Sequence, residues 1–513
     1  MNKPLIIIGA GITGLSAGIA WAKNVNVKER PVIILEKNRI PGGCVTSFKR
    51  NGYLFDTAQI IPDVKDLLEY FGIHLELTKF EGNYAKIFIA ESGRISKEYL
   101  IPSGITDFEE YLVNNFPDDE KAVRRFVSYS AGMYKELYKL KVEPNILQKL
   151  GLLFKCPKII ANANKTFRDY LNRFGFRNPD IIEYFNQFAA FSALPAEKCA
   201  SLLAVGAMFT SLSGAYRTKG GFIEFPLLLA KRFRELGGII KFNSEVKKII
   251  LKDGRAEGVL LESGEFLEAE NVISTADPKV LAGKLIGMEI LKKLDAEYAV
   301  KASDVKMSPS SLHISLGLDD KIDMRQYNLS SGYNILSTGD NINKALYEMF
   351  DDNNVVFDES RFRCGVICPT LTTGGRNILN IRVVPVAMGY WKNLHDKDYD
   401  AYLFKKNEAA GFFINLTEKY LIPGLRKHIL YTDIATPATF SRYLGSPTGS
   451  NYDMSPYVNN FGKNRLKMRT PVKGLLQPKF SHGIWPCMQA GMQAADMILG
   501  GKVMNGNSRY SKS

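Results

Sequence analysis

The chain has 513 residues, 45% apolar and 23% charged, and Lys+Arg at 67 against Asp+Glu at 53 gives a net charge of +14. This composition excludes a disordered chain, a collagen and a coiled coil, and the length suits two or three domains of roughly 100–200 residues each. Of six cysteines only Cys364 and Cys368 lie near each other, with no second pair or neighbouring histidine, so neither a disulfide scaffold nor a zinc site is expected.

The opening run Pro4–Ile8 is rich in β-branched residues and ends at Gly9, the pattern of a strand buried on both faces. It is shorter than the roughly 7–15 apolar residues of a signal peptide, and no later stretch reaches the roughly 18–20 needed to span a bilayer. The expectation is a cytoplasmic protein, soluble or peripheral on the inner face of a membrane. Ile12 to Lys23 reads as a helix and Val32–Leu35 as a second buried strand, completing a β-α-β unit. From Leu67 to about Arg217 the reading is mostly helical. Gly220 to Leu236 reads as a helix behind a double glycine, and Val246–Leu251 and Gly258–Leu261 flank the turn Lys252-Asp253-Gly254. Val272–Ala276 is another short strand, residues 291–464 mix both types, and a last helix runs from about Met488 to Leu499, closed by Gly500-Gly501.

The first turn carries chemistry. Gly9-Ala10-Gly11-Ile12-Thr13-Gly14 is a G-x-G-x-x-G between a strand and a helix, and Glu36 follows at the end of the next strand. Gly9 would make the tight turn, Gly11 would admit a pyrophosphate, and Gly14 would let the helix pack close. The helix N-terminus supplies N–H groups and positive dipole. Glu36 would accept the ribose hydroxyls and repel a 2′-phosphate. Gly42-Gly43, followed by Thr46 and by Gly52-Tyr53-Leu54-Phe55-Asp56, offers a second close approach of backbone to cofactor. A nicotinamide site does not require one, so the cofactor is read as FAD. No second G-x-G-x-x-G occurs, so electrons would pass between the substrate and an external acceptor or donor.

These residues resemble the phytoene desaturase family of flavoproteins, which includes carotenoid desaturases, carotenoid cis–trans isomerases and retinol saturases, relatives of the amine oxidase superfamily. The likeness runs through Gly42-Gly43-Cys44, Lys219-Gly220-Gly221-Phe222, Gly237-Gly238, Val246, Ser274–Pro278 and Thr436-Pro437 to Tyr443. It implies an α/β fold: a doubly wound, Rossmann-type FAD domain from residues 1–75, 218–290 and 465–513, with a discontinuous α+β substrate domain from 76–217 and 291–464. It implies non-covalent FAD held by Gly9, Gly11, Thr13, Gly14, Glu36, Lys37, Gly42, Gly43, Thr46, backbone of Val246 and, beside the flavin ring, Gly483. The chain departs from the family where Ala58 replaces a common glycine and where Gly474–Cys487 is short and keeps only Gly483 of a glycine run.

Among side chains, His482 is the candidate for moving protons beside the flavin, with a purely hydrogen-bonding histidine as the alternative. Cys44, Cys364 and Cys368 are read as packing thiols, and Asp56 as a carboxylate that orders the glycine-rich loop. No Ser/His/Asp triad or metal set appears. The basic excess has no finger, basic helix or stacking motif beside it, so nucleic acid is not an expected partner. A solvated basic face accounts for it, and so does attraction to anionic lipid. Asn145–Lys165 interleaves apolar residues with Lys149, Lys155, Lys158 and Lys165, the composition of either an interfacial segment or a lid.

The expected function is that of an FAD-dependent oxidoreductase acting on carbon–carbon double bonds of a hydrophobic, carotenoid-, retinoid- or isoprenoid-like polyene by desaturation, saturation or isomerisation. The alternatives are an amine or porphyrinogen oxidase and a flavin-binding protein without turnover. With one dinucleotide fingerprint occupied by flavin, neither NADH nor NADPH should reduce the flavin quickly on its own. Anaerobic stopped-flow mixing with each checks this, and bleaching of the flavin band within a turnover time would contradict it.

Overall fold

A computed structural model describes residues 2–80, 82–137, 151, 154–189, 194–339, 355–386, 388–450, 452–460, 465–478, 483–501 and 503. The chain opens with strand Leu5–Ile8, helix Ile12–Asn24 and strand Val32–Leu35. The strands pair in parallel, Leu5 opposite Val32 through Ile8 opposite Leu35. Strand Ile239–Lys241 extends this sheet at one edge, and Asn271–Ser274 followed by Leu475–Leu476 extends it at the other, all in parallel. Alternation of side chains along Leu5–Ile8 sends Leu5 and Ile7 into one core with Leu15, Ile19, Phe233 and Met492. It sends Ile6 and Ile8 into another with Val259, Leu285 and Leu291. Helices cover the first face. The second is covered by the antiparallel strands Val246–Lys252, Arg255–Leu261 and Phe266–Glu268 and by helices Met288–Leu294 and Ala296–Asp304. Burial on both faces is why Leu5–Ile8 and Val32–Leu35 are apolar throughout rather than alternating.

A second, seven-stranded sheet has the order Ile429–Ala435, Ser310–Leu318, Ile378–Val386, Arg363–Ile367, Tyr333–Thr338, Asn83–Glu91, Arg94–Pro102 among the described residues. The hairpin Asn83–Glu91/Arg94–Pro102 corrects the expectation of helix from Leu67 onward. Its turn, Ser92-Gly93, takes positive φ at both positions, the conformation of a tight hairpin, and a polar-apolar alternation from Arg94 marks the outer strand. Helices follow at Ile105–Asn115, Glu120–Leu137, Phe167–Asn172, Pro179–Ala189 and Ser201–Ser213. They enclose a core dense in rings, among them Phe108, Phe126, Tyr170, Phe174, Tyr184, Phe185 and Phe188.

The last helix spans Ile484–Ile498, starting four residues earlier than the sequence suggests. It packs against the opening helix through Gly491. A Cβ there would fall 2.1 Å from the Thr13 carbonyl oxygen and 3.0 Å from the Ala17 nitrogen. Gly491→Ala should therefore force the helices apart and destabilise the protein by about 1–3 kcal/mol. Gly411→Ala lies inside helix Tyr399–Tyr420 with nothing within 4 Å of the added carbon; it should stabilise by up to about 1 kcal/mol. Chemical denaturation of both variants reads the difference. Equal effects would contradict the close helix contact.

Candidate functional site

The glycine turn is shaped as its spacing predicts. Gly9 has φ +100° and its N–H donates to the Leu35 carbonyl at 2.7 Å. A Cβ on Gly14 would lie 2.0 Å from the Gly9 oxygen, so no other residue fits there. At Gly11 the same construction meets nothing within 4 Å. Gly11 is also the N-cap of the opening helix, which has no side-chain cap and no acidic residue in its first turn. An uncapped N-terminus with open space before it is a cradle for a phosphate. Thr13 sits in that first turn.

Glu36 is buried, and both carboxylate oxygens are anchored by backbone. One accepts from Ala10 N at 2.8 Å and the other from Asn38 N at 2.9 Å. The carboxylate is thereby fixed beside the glycine turn with lone pairs remaining for hydroxyl donors. The backbone of Glu36 is held in turn by Lys241 O and Ser244 N, two residues before Val246, whose side chain is buried. Gly42 N donates to Ala10 O at 2.9 Å, so the second glycine pair lies directly against the first. Thr46 and Thr57 lock the next turn: Thr46 N donates to Thr57 Oγ1 at 3.0 Å, and that hydroxyl donates to Cys44 O at 2.8 Å. These residues fit a flavin dinucleotide: phosphates on Gly11 and the helix start, ribose on Glu36.

Two further predicted residues have structural roles of their own. The Lys37 ammonium donates to Arg442 O at 2.8 Å, and burial lowers its pKa; it fastens the last turn of helix Pro437–Leu444 beside the turn. Gly483 is the N-cap of the final helix, with φ +100°. His482 lies outside the described residues. Cys364 and Cys368 are fully buried, and burial pushes their thiols up to about 12 and about 11, which makes them inert packing groups.

Inward of the second glycine pair lies a group of charges that sequence reasoning did not single out. Asp56 orders the loop as expected: one carboxylate oxygen accepts from Ser47 Oγ at 2.6 Å and from Phe222 N at 3.0 Å. Its other oxygen is 3.7 Å from Arg217, and its backbone carbonyl accepts from Arg382. Arg217, Arg363 and Arg382 are 1%, 6% and 3% exposed. Burial pushes the Asp56 carboxyl up against the opposing pull of Arg217, and brings Arg382 down to about 10. Beside Arg382, His313 is held well below its usual range by burial and by that guanidinium, so its imidazole is neutral.

The seven-stranded sheet explains the grouping. His313 pairs with Arg382, and Gly365 pairs with Arg382 from the other side. Arg363, two residues from Gly365, shares that face, as do Ser315 and Asn380. The alternate residues Leu312, Ile314, Leu316, Leu379, Ile381, Cys364 and Val366 form an apolar core on the opposite face. A lone charged residue inside an apolar strand, such as Arg382 in Ile378–Val386, is the signal that could have found them.

Residues 16–386 match the family model described as flavin containing amine oxidoreductase. The chain belongs to that family and is a flavin-dependent oxidoreductase. It is 26% identical to a prolycopene isomerase, chloroplastic, of Arabidopsis thaliana over 87% of this chain and 73% of the relative. It is 24% identical to an all-trans-retinol 13,14-reductase of Danio rerio over 98% and 86%, and 24% identical to a lycopene-forming phytoene desaturase of Pseudescherichia vulneris over 89% and 90%. Among solved structures, an oxidoreductase from Methanosarcina mazei shares the fold with a TM-score of 0.60 at 17% identity, covering 96% of this chain and 100% of the other.

Glu36→Ala should weaken binding of added FAD by roughly one to two orders of magnitude, since charge-assisted hydrogen bonds are worth about 1.5–3 kcal/mol each. Titration of flavin-stripped protein reads it, and an unchanged Kd would show that the ribose lies elsewhere.

Proposed function

We propose that this chain binds FAD non-covalently and acts on carbon–carbon double bonds of a hydrophobic polyene, by desaturation, saturation or isomerisation. The observation that carries this reading is the likeness, over 87%, 98% and 89% of this chain, to proteins named as a prolycopene isomerase, a retinol reductase and a phytoene desaturase. Bound flavin supplies hydride exchange at carbon centres, which asks few protein groups to take part in bond breaking. The chain's own residues position it: Gly11 and the first helical turn for the phosphates, Glu36 for the ribose, Gly42-Gly43 and the Thr46–Thr57 turn for the inner half.

The charge group bears on the alternatives. An ammonium substrate placed near the buried guanidiniums of Arg217, Arg363 and Arg382 would meet Coulomb repulsion that low dielectric strengthens. The arginines argue against an amine oxidase in the strict sense. A porphyrinogen, whose carboxylates suit arginine, stays as the second reading.

A water-insoluble substrate also favours docking at a lipid surface. No helix of the described residues is long and apolar enough to cross a membrane. Within Asn145–Lys165, residues 145–150, 152 and 153 lie outside the described residues. At Phe154 the ring is 88% exposed, next to Lys155, and Ile160 is exposed on the short helix Pro157–Asn162. Two exposed apolar groups flanked by lysines suit shallow insertion into an anionic surface.

Incubating the FAD-loaded protein anaerobically with a cis-polyene, a saturated polyene precursor or a retinol, with an artificial electron acceptor or dithionite as partner, should convert one of them, read by chromatography. Conversion of an amine or a porphyrinogen, with none of a polyene, would overturn the proposal. In vesicle sedimentation, Phe154→Ser/Ile160→Ser should retain FAD but bind anionic vesicles less than the parent, with binding that weakens as salt rises. Equal binding would assign the segment to a lid.

A further inference from the structure

Outside the cofactor turn, two short helices of the helical region share a cavity. Ala161, Lys165, Asp169, Asn172 and Arg173 line a space of about 420 Å³, within the roughly 300–1,000 Å³ typical of ligand sites. Ala161 belongs to helix Pro157–Asn162, and Asp169 and Asn172 belong to helix Phe167–Asn172. Lys165, Asp169, Asn172 and Arg173 are all exposed, so the cavity opens at the surface. Its lining brings two cations together with one carboxylate.

Buried groups beneath hold the cations in place. Asn162 is fully buried; its side-chain oxygen accepts from Arg173 Nη1 at 2.7 Å, and its amide nitrogen donates to Lys158 O at 2.7 Å. The Arg173 guanidinium also lies 5.0 Å from the centre of the Tyr129 ring. With one N–H given to Asn162, the rest of the fork can take oxygen acceptors from a ligand. At Lys165 the backbone is pinned on both sides: its N–H donates to Asn162 O at 3.1 Å, and its carbonyl accepts from Ser201 N at 3.0 Å. One oxygen of Asp169 accepts from Thr166 N at 3.1 Å in a capping box, which ties the carboxylate to the helix start. Lys158 lies 3.6 Å from Glu136 and is already engaged. An anchored guanidinium and an ammonium lining one cavity form a donor set that suits a phosphate.

Beside this polar cavity the chain exposes apolar groups. Ile160, directly before Ala161, is exposed, and the Phe154 ring stands out from the same segment next to Lys155. A phosphate compound without acyl chains would leave both unused, whereas one that carries such chains would meet both. We propose that the cavity is a headgroup site for an anionic glycerophospholipid, with the phosphate on Arg173 and Lys165 and the acyl chains running beside Ile160 and Phe154. This rests on the lipid-docking reading of Phe154 and Ile160 given above. It adds a phosphate site that grips a single lipid, where attraction to a charged plane would need only diffuse charge.

The FAD-loaded protein is sedimented with vesicles of phosphatidylcholine, with and without phosphatidylglycerol, and titrated calorimetrically with glycerol 1-phosphate, the headgroup chemistry without chains. The parent should bind the phosphatidylglycerol vesicles and show no saturable binding of glycerol phosphate at matching concentrations. Lys165→Gln and Arg173→Gln should each lower vesicle affinity about fivefold or more. Lys293→Gln, which removes an exposed lysine from helix Met288–Leu294, should change it by less than about twofold. Asp169→Asn keeps an acceptor for Thr166 N and removes the lining carboxylate, so it should bind more tightly than the parent. A gain of that kind does not come from misfolding, and it keeps the test open even where Arg173→Gln, having lost its bond to Asn162, fails to fold. Equal effects of Lys165→Gln and Lys293→Gln, or an Asp169→Asn variant no tighter than the parent, overturn the inference and leave the docking reading intact. Saturable binding of glycerol phosphate as tight as that of the vesicles overturns it as well, by assigning the cavity to a soluble phosphate compound. A parent protein that ignores phosphatidylglycerol vesicles overturns the docking reading and this inference with it.

Discussion

The Asp56 carboxylate, buried to 4% exposure, joins parts of the molecule that sequence places far apart. It closes the hairpin Ser47–Arg50/Tyr53–Asp56 through Ser47, captures the loop after Gly220-Gly221 through Phe222 N, and sets Arg217 opposite its second oxygen. Its own carbonyl takes a guanidinium from the middle of the seven-stranded sheet. The same hairpin touches that sheet a second time, where Tyr53 Oη donates to Leu318 O at 2.9 Å. Ion pairs at this depth are weak sources of net stability, but breaking one leaves a charge stranded. Such a node tolerates few substitutions, and it fixes the position of the charged wall relative to the cofactor turn.

Glu36 does a parallel task at the outer end. With both oxygens on backbone N–H groups, it is rigid before any ribose arrives, so little side-chain entropy remains to be lost on binding. The helix beginning at Gly11 offers partial positive charge on the same side. A fixed carboxylate and the positive end of a helix dipole thus lie side by side at the glycine turn. The inner end holds the buried guanidiniums of Arg217, Arg363 and Arg382.

The nucleotide half was legible because its requirements are local. Gly9, Gly11, Gly14 and Glu36 act through spacing on a single β-α-β unit, and the hydrophobic run Leu5–Ile8 has one reading once Gly9 ends it. The hairpin Asn83–Arg94 was missed because its inner strand, Asn83–Glu91, is buried along nearly its whole length and so lacks the alternation that separates strand from helix. The arginine cluster was missed for a different reason. Arg217, Arg363 and Arg382 lie on three strands of two sheets, and only pairing such as Gly365 with Arg382 gathers them. The role of Asp56, by contrast, could be anticipated from its place after the second glycine pair, although its bond to Arg217 could not.

The measurement that tests this arrangement most directly is a double-mutant cycle on Asp56→Asn and Arg217→Met, read by chemical denaturation of the flavin-loaded protein. Each single change strands a buried partner and should cost about 3–5 kcal/mol. The double variant should cost less than the two together by about 1.5–3 kcal/mol, the range of coupling between groups in direct contact. Losses that add to within about 0.5 kcal/mol would contradict the account, because Asp56 would then not be the charge on which the inner wall is set.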